Sequence, residues 1–247
     1  MILPVAALIG ALAGAIIGSF LATLILRWPQ GRSVMRGRSA CDGCGRTLTA
    51  RDLVPMVSSL LSRGRCRTCG ARIDPLHGRV EAGCAIIGAL ALGFRADLGG
   101  AGWMLLGWSL LTLAVLDWRH FWLPDALTLP LAFMGLTVGL WTTDIPLADR
   151  IIGAAIGYGA LLAIAIGYRA LRGREGLGLG DAKLLGALGA WFGWQALPFI
   201  LLIASTVGLT AMLATGQARQ RTARVPLGTF LALAALPGWL TASLFMG

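Results

Sequence analysis

A chain of 247 residues that is 57% hydrophobic, only 13% charged and of mean hydropathy +0.77 is too apolar for a water-soluble domain and reads as an all-α polytopic membrane protein. Its net charge of +10 does not make it a nucleic-acid binder, because the arginines fall in loops between apolar runs, the pattern that orients helices in a bilayer. The 35 glycines suit helices packed closely in lipid, and at roughly 20 apolar residues per span about eight transmembrane helices fit beside one polar insert.

The first apolar run, Ile2 to Leu26, carries no charge, and Arg27 follows it. A cleaved signal peptide would have basic residues ahead of a shorter apolar core, so this is expected to be a retained helix with its N-terminus outside. Residues 27–79 form the one sizeable polar stretch and hold eleven arginines, which makes them cytoplasmic. Apolar runs follow at 80–94, 101–116, 127–141, 151–168, 184–194, 196–214 and 227–245. The sixth and seventh of the eight runs are divided only by Gly193-Trp194-Gln195-Ala196, the least defined boundary. Threading the runs back and forth puts loops 117–126, 169–183 and 215–226 in the cytoplasm, and 95–100 and 142–150 outside. Of the 21 basic residues only Arg95 and Arg150 then fall outside, and Gly247 returns to the outer face, so both termini lie there. The organisation expected is a first transmembrane helix (1–26), a cytoplasmic four-cysteine insert (27–79) and a seven-helix membrane core (80–247).

The insert contains Cys41-Asp-Gly-Cys44, twenty-one intervening residues, then Cys66-Arg-Thr-Cys69, and each pair is followed by glycine, Gly45 or Gly70. Two such knuckles suit tetrahedral zinc, and four thiolates leave no open position, so the metal would be structural. The reducing cytoplasm disfavours two disulfides; free or redox-active thiols are the alternative. Such a metal would fix a cytoplasmic platform. Cys84, inside an apolar run, reads as packing.

Asp181 follows two spaced glycines, Gly178 and Gly180, and precedes a long apolar run. The residue is either a helix N-cap or a functional acid at membrane depth, and both readings stay open here. A dinucleotide fingerprint is excluded, since no predicted strand precedes Gly176. Asp117 closes the third run on the same face of the membrane. Two acids that meet there share a proton, because like charges a few ångströms apart resist joint ionisation. One carboxylate then takes a proton from water while the other donates to a peptide carbonyl, the chemistry of an aspartic protease. Asp125, in Leu123-Pro124-Asp125, competes with Asp117 but sits well for an N-cap. Lys183 and the helix N-terminus would bias Asp181 toward its ionised form. Asp42, Asp52 and Asp74 read as solvated, Asp97, Asp144 and Asp149 lie on the opposite face, and His77 and His120 are lone loop histidines.

Together these residues resemble the prepilin peptidases, membrane aspartic proteases of the GxGD type. The resemblance rests on Gly18-Ser19-Phe20-Leu21, the paired cysteine motifs, Asp52-Leu53-Val54-Pro55 with Ser58, and Val80-Glu81. It extends through LDWRHFWLPDALTLPL, GLGLGDAKLLGALGAWFGW and Val225-Pro226-Leu227-Gly228. It implies that Asp117 and Asp181 are the catalytic pair, supported by Gly178, Gly180, Lys183 and Asp125. The substrates implied are the N-terminal helices of type IV prepilins or type II secretion pseudopilins, cut after a glycine that follows a short basic leader. The place implied is the cytoplasmic face of the bacterial inner membrane. The cysteine insert resembles that of the bifunctional members, which N-methylate the new N-terminus with S-adenosylmethionine, and Glu81 matches an acid linked with that activity. The chain departs from the family pattern at Ala22, where asparagine is usual, and at Leu76-His77-Gly78-Arg79, which replaces an aromatic-proline step.

Two rivals make different predictions. A presenilin-like intramembrane protease shares the Gly-x-Gly-Asp step but lacks the insert, and its other acid follows tyrosine, whereas Asp117 follows Leu116. A non-enzymatic, zinc-stabilised membrane scaffold would tolerate Asp117→Asn and Asp181→Asn.

Overall fold

The computed structural model describes residues 3–35, 39–173, 176–215 and 225–245, the last nine of these by backbone alone. Arg36, Arg38, Arg174, Arg219, Arg221, Arg224 and Gly247, which enter the charge and topology expectations, lie outside the described residues. Regular structure among the described residues is helical apart from two isolated bridges, Ala40 with Thr47 and Arg65 with Arg72. The chain divides into two compact units, Met1–Asp97 and Leu98–Gly247.

The first unit holds α1 (Pro4–Arg27), α2 (Val57–Leu61) and α3 (Leu76–Phe94). Glycines at every fourth position of α1 form one face of that helix and let α3 approach backbone to backbone. A Cβ on Gly10 would strike the Gly88 carbonyl, one on Gly14 the Cys84 carbonyl, and one on Gly18 would lie 2.7 Å from the Glu81 Cα. Small residues at this spacing are how helices pair in lipid, where apolar burial gives little preference for helix over lipid tail.

The second unit holds α4 (Leu98–His120), α5 (Asp125–Thr137), α6 (Leu147–Arg172), α7 (Leu179–Phe192), α8 (Leu197–Ala214) and α9 (Leu227–Phe245). Its centre is α7, buried at every position from Leu184 to Phe192. A helix apolar all round belongs in the interior. Here α6 closes on it through Gly153, against the Gly189 carbonyl, and Gly157, against that of Leu185. Gly193 takes φ 73°, separating α7 from the short 3-10 turn and α8 beyond it, which places the doubtful boundary where the sequence suggested.

Each predicted apolar run falls largely within a helix, but four helical stretches among the described residues are long and apolar enough by themselves to cross a membrane: Pro4–Gln30, Leu98–His120, Leu147–Arg172 and Trp194–Ala214. At 14 residues α7 is about 21 Å long, short of a hydrocarbon core of about 30 Å.

Arg150, expected as a loop charge on the outer side, is instead fully buried in the first turn of α6. Its Nε donates to the Ile145 carbonyl (3.1 Å). Nη1 donates to those of Gly135 (3.3 Å), Ala190 (3.1 Å) and Trp191 (2.7 Å), and Nη2 to those of Gly139 (2.7 Å) and Thr143 (3.2 Å) and to the Thr143 hydroxyl (2.6 Å). The α7 acceptors belong to a helix end, where the last carbonyls lack intrahelical partners. One planar guanidinium with five donors closes α5, its trailing 3-10 turn and α7 together.

Candidate active site

Asp117 lies in the last turn of α4. That helix stops because Phe121 turns left-handed, φ 50°, and returns its N–H to the Asp117 carbonyl at 2.8 Å. The reversal brings Leu123 inward, 8% exposed, before Pro124 opens α5. Asp181 is the third residue of α7, whose N-cap is Gly178. The two acids are 5% and 9% exposed respectively.

Between them stands the first turn of α9. A Cβ built on Gly228 would lie 3.1 Å from Oδ2 of Asp117 and 3.1 Å from Oδ1 of Asp181. The two oxygens therefore lie no further apart than twice that distance, and the Gly228 backbone N–H lies near both carboxylates. Next to it, Thr229 gives its backbone N–H to Asp117 Oδ2 at 2.7 Å, with its hydroxyl 3.2 Å from the same oxygen. Gly180 is required for another reason: a Cβ there would lie 2.8 Å from the Leu123 Cβ. The Asp181 carboxylate folds back toward Gly178, its Oδ2 3.4 Å from the position a Cβ there would take.

The helix-capping alternative for Asp181 is thus displaced in detail, since Gly178 occupies the cap and the acid reaches back toward it from the third position. Asp125 is not an N-cap either. Pro124 takes that place, and Asp125, the first helical residue, pairs with Lys183 at 2.6 Å. Lys183 is therefore engaged by Asp125 and not kept for Asp181. Sequence reasoning missed Thr229; a lone hydroxyl just past Pro226-Leu227-Gly228, at the head of an apolar run, was the available signal.

In the first unit the four cysteine sulfurs lie within 4.8 Å of one another, and Cys41 Sγ is 3.8 Å from Cys69 Sγ. Sulfurs at about 2.3 Å from one zinc ion stand about 3.8 Å apart in a tetrahedron. The knuckles repeat one hydrogen-bond pattern. Cys41 N–H reaches Arg46 O at 2.9 Å, and Cys66 N–H reaches Ala71 O at 2.8 Å. Gly45 and Gly70, both at φ 71°, return their N–H groups to Cys41 and Cys66 at 2.9 Å. Backbone N–H groups of Cys69 and Thr68 bring the Cys66 thiol down to about 6. Against the opposing pull of the Ala71 N–H, the sulfurs of Cys44, Cys66 and Cys41 drive Cys69 up to about 11. Four thiolates so crowded need a cation among them, and the donor set fits zinc.

Asp52, expected to be merely solvated, anchors the insert. It takes the Thr49 N–H (3.0 Å) and hydroxyl (2.9 Å) and pairs with Arg46 (3.1 Å), and these donors hold its carboxyl below the usual range. Glu81, 6% exposed in α3, accepts the Met56 N–H at 2.7 Å. Met56 sits at φ 58°, a costly conformation for a residue with a side chain, and the charged acceptor helps hold it.

Residues 104–213, which include both acids, match the type IV leader peptidase family, and residues 12–94 match the bacterial peptidase A24 N-terminal domain. A prepilin leader peptidase/N-methyltransferase of Aeromonas salmonicida is 39% identical over 213 residues, covering 84% of this chain and 72% of the relative. One from Dickeya chrysanthemi is 38% identical over 264 residues, 96% and 89% of the two chains. One from Stutzerimonas stutzeri is 34% identical over 255 residues, 92% and 86%. No solved structure matches the chain.

Proposed function

Because the chain belongs to the type IV leader peptidase family, we propose that it removes the leader from prepilins or pseudopilins, with Asp117 and Asp181 as the catalytic pair. The observation that carries this is the convergence of an oxygen from each acid on Gly228. Two carboxylates so placed hold one proton between them. The ionised one takes a proton from water as the water oxygen bonds to the scissile carbonyl carbon, and the protonated one gives its proton to the carbonyl oxygen. Collapse of the tetrahedral adduct returns a proton to the departing amine and frees the new N-terminus.

The enzyme is also an N-methyltransferase in this proposal, like the relatives named for both activities. S-adenosylmethionine supplies the methyl group, and Glu81 is the candidate to meet it, since a buried carboxylate suits a sulfonium cation. The cysteine set Cys41, Cys44, Cys66 and Cys69 would hold a structural zinc ion. The eight-span threading, with the acids at the cytoplasmic face of the inner membrane and both termini outside, completes the proposal.

The test is leader removal from a purified prepilin by the Asp117→Asn and Asp181→Asn variants, each alone, in lipid or detergent. Each is expected to fall to background while retaining the folded protein's elution and melting behaviour. Normal cleavage by either variant would refute the pair.

A further inference from the structure

Thr229 has one hydroxyl proton and two acceptors for it, both on α4. Its Oγ1 is 3.0 Å from the Ala114 carbonyl and 3.2 Å from Asp117 Oδ2, and its backbone N–H fixes the same Oδ2 at 2.7 Å. The group is 7% exposed, so water competes little for these bonds. A hydroxyl is both donor and acceptor, and the Ala114 carbonyl, inside a helix, has a second lone pair to offer.

We propose that Thr229 is a positioning residue for Asp117, whose hydroxyl proton follows the charge on that carboxylate. This rests on the aspartyl-pair reading and deepens it. When Asp117 is ionised, the Thr229 O–H points at Oδ2, which then takes two donors from one residue. When Oδ2 carries a proton, the rotor turns its own hydrogen to the Ala114 carbonyl and accepts from Oδ2. No covalent bond is made or broken; a rotation about one C–O bond keeps every buried polar group satisfied in both states. Asp117 can therefore change charge in each half of the reaction without a buried group losing its partner, which would cost it a full desolvation penalty.

The experiment compares Thr229→Val, which keeps shape and the backbone N–H but removes the hydroxyl, with Thr229→Ser, which restores it. Steady-state cleavage of one prepilin is measured beside the melting temperature of each variant and beside Asp117→Asn and Asp181→Asn. The expected result for Thr229→Val is a fall in kcat of roughly tenfold to a hundredfold, the range for a lost hydrogen bond to a charged group. KM should change less than about twofold, and Thr229→Ser should recover to within about threefold of the parent. Thr229→Ala gives the same comparison without added bulk should the valine variant fold poorly. Wild-type turnover in Thr229→Val or Thr229→Ala, or equal losses in the valine and serine variants, overturns the rotor and leaves the aspartyl pair standing. Cleavage by either asparagine variant overturns the pair itself.

Discussion

Leu123 rests on Gly180 so closely that a Cβ at Gly180 would come within 2.8 Å of the Leu123 Cβ. The same leucine reaches Gly228, where its Cδ1 lies 2.7 Å from the position a Cβ would take. One buried side chain thus spaces the first turn of α7 from the first turn of α9, and those turns carry Asp181 and the donors to Asp117. The left-handed turn at Phe121 supplies this spacer by reversing the chain just after Asp117.

Gly180→Ala should therefore move Asp181 without touching its chemistry. A displacement near 1 Å costs about a hundredfold in rate when reacting groups must align, and a loss of that order in kcat is expected. Trimming Leu123 to alanine does not relieve the clash, because the atom in the way is the leucine Cβ. Gly228→Ala should be worse, since its new methyl group also meets both carboxylates. Prepilin cleavage by the two variants is the measurement, and near-parental rates would show that the leucine does not set the spacing.

Zinc should be found at about one ion per chain of purified protein, as four thiolates closing one tetrahedral site require. Cys41→Ser should lose it. The insert exposes Arg51, Arg63, Arg65 and Arg67, so trypsin should cut there far faster in the serine variant or after chelation. Full resistance to trypsin with no metal bound would mean the knuckles hold without an ion.

Much of this was legible in the sequence because it lay in local signals. The apolar runs appear as helices, the cysteine spacing as one sulfur cluster, and the glycine pair ahead of Asp181 as a tight approach. What was not legible depends on partners far along the chain. Arg150 counted as an outer-loop charge because its acceptors, such as the carbonyls of Gly135 and Trp191, are backbone atoms that leave no trace in residue type. Asp125 and Lys183 are 58 positions apart, and Thr229 reaches Asp117 across 112. A pattern of polarity along the chain cannot pair them.

Glu81→Gln separates the hydrogen bond that Glu81 makes to Met56 from the methyl-transfer role proposed for it. The amide oxygen can still accept the Met56 N–H, so the insert should keep its order, while the negative charge is gone. Transfer of labelled methyl from S-adenosylmethionine to a cleaved pilin peptide should drop by more than about tenfold, the scale of a lost charged interaction, with leader removal intact. Glu81→Ala removes the acceptor as well, and the strained Met56 should then relax, seen as faster amide exchange around residues 53–61. Undiminished methylation in Glu81→Gln would reduce the residue to its hydrogen bond with Met56.

Arg150→Met should be the most damaging change away from the acids. The methionine fills comparable volume but offers no donors, so the carbonyls of Gly135, Gly139, Thr143, Ala190 and Trp191 lose the guanidinium in a place water does not reach. Each buried polar group left unsatisfied costs about 1–3 kcal/mol, and even with partial relaxation the total should exceed about 4 kcal/mol, the extreme of single substitutions. Arg150→Lys should not rescue it, because an ammonium has three donors on a point and cannot span acceptors arranged around a plane. The measurements are melting temperature in detergent and abundance in membranes, with cleavage expressed per folded molecule. Since Arg150 binds the α7 end remote from Asp181, the surviving folded fraction should cleave at close to the parental rate. A variant that melts normally but cleaves slowly would mean that Arg150 acts on the acids through α7.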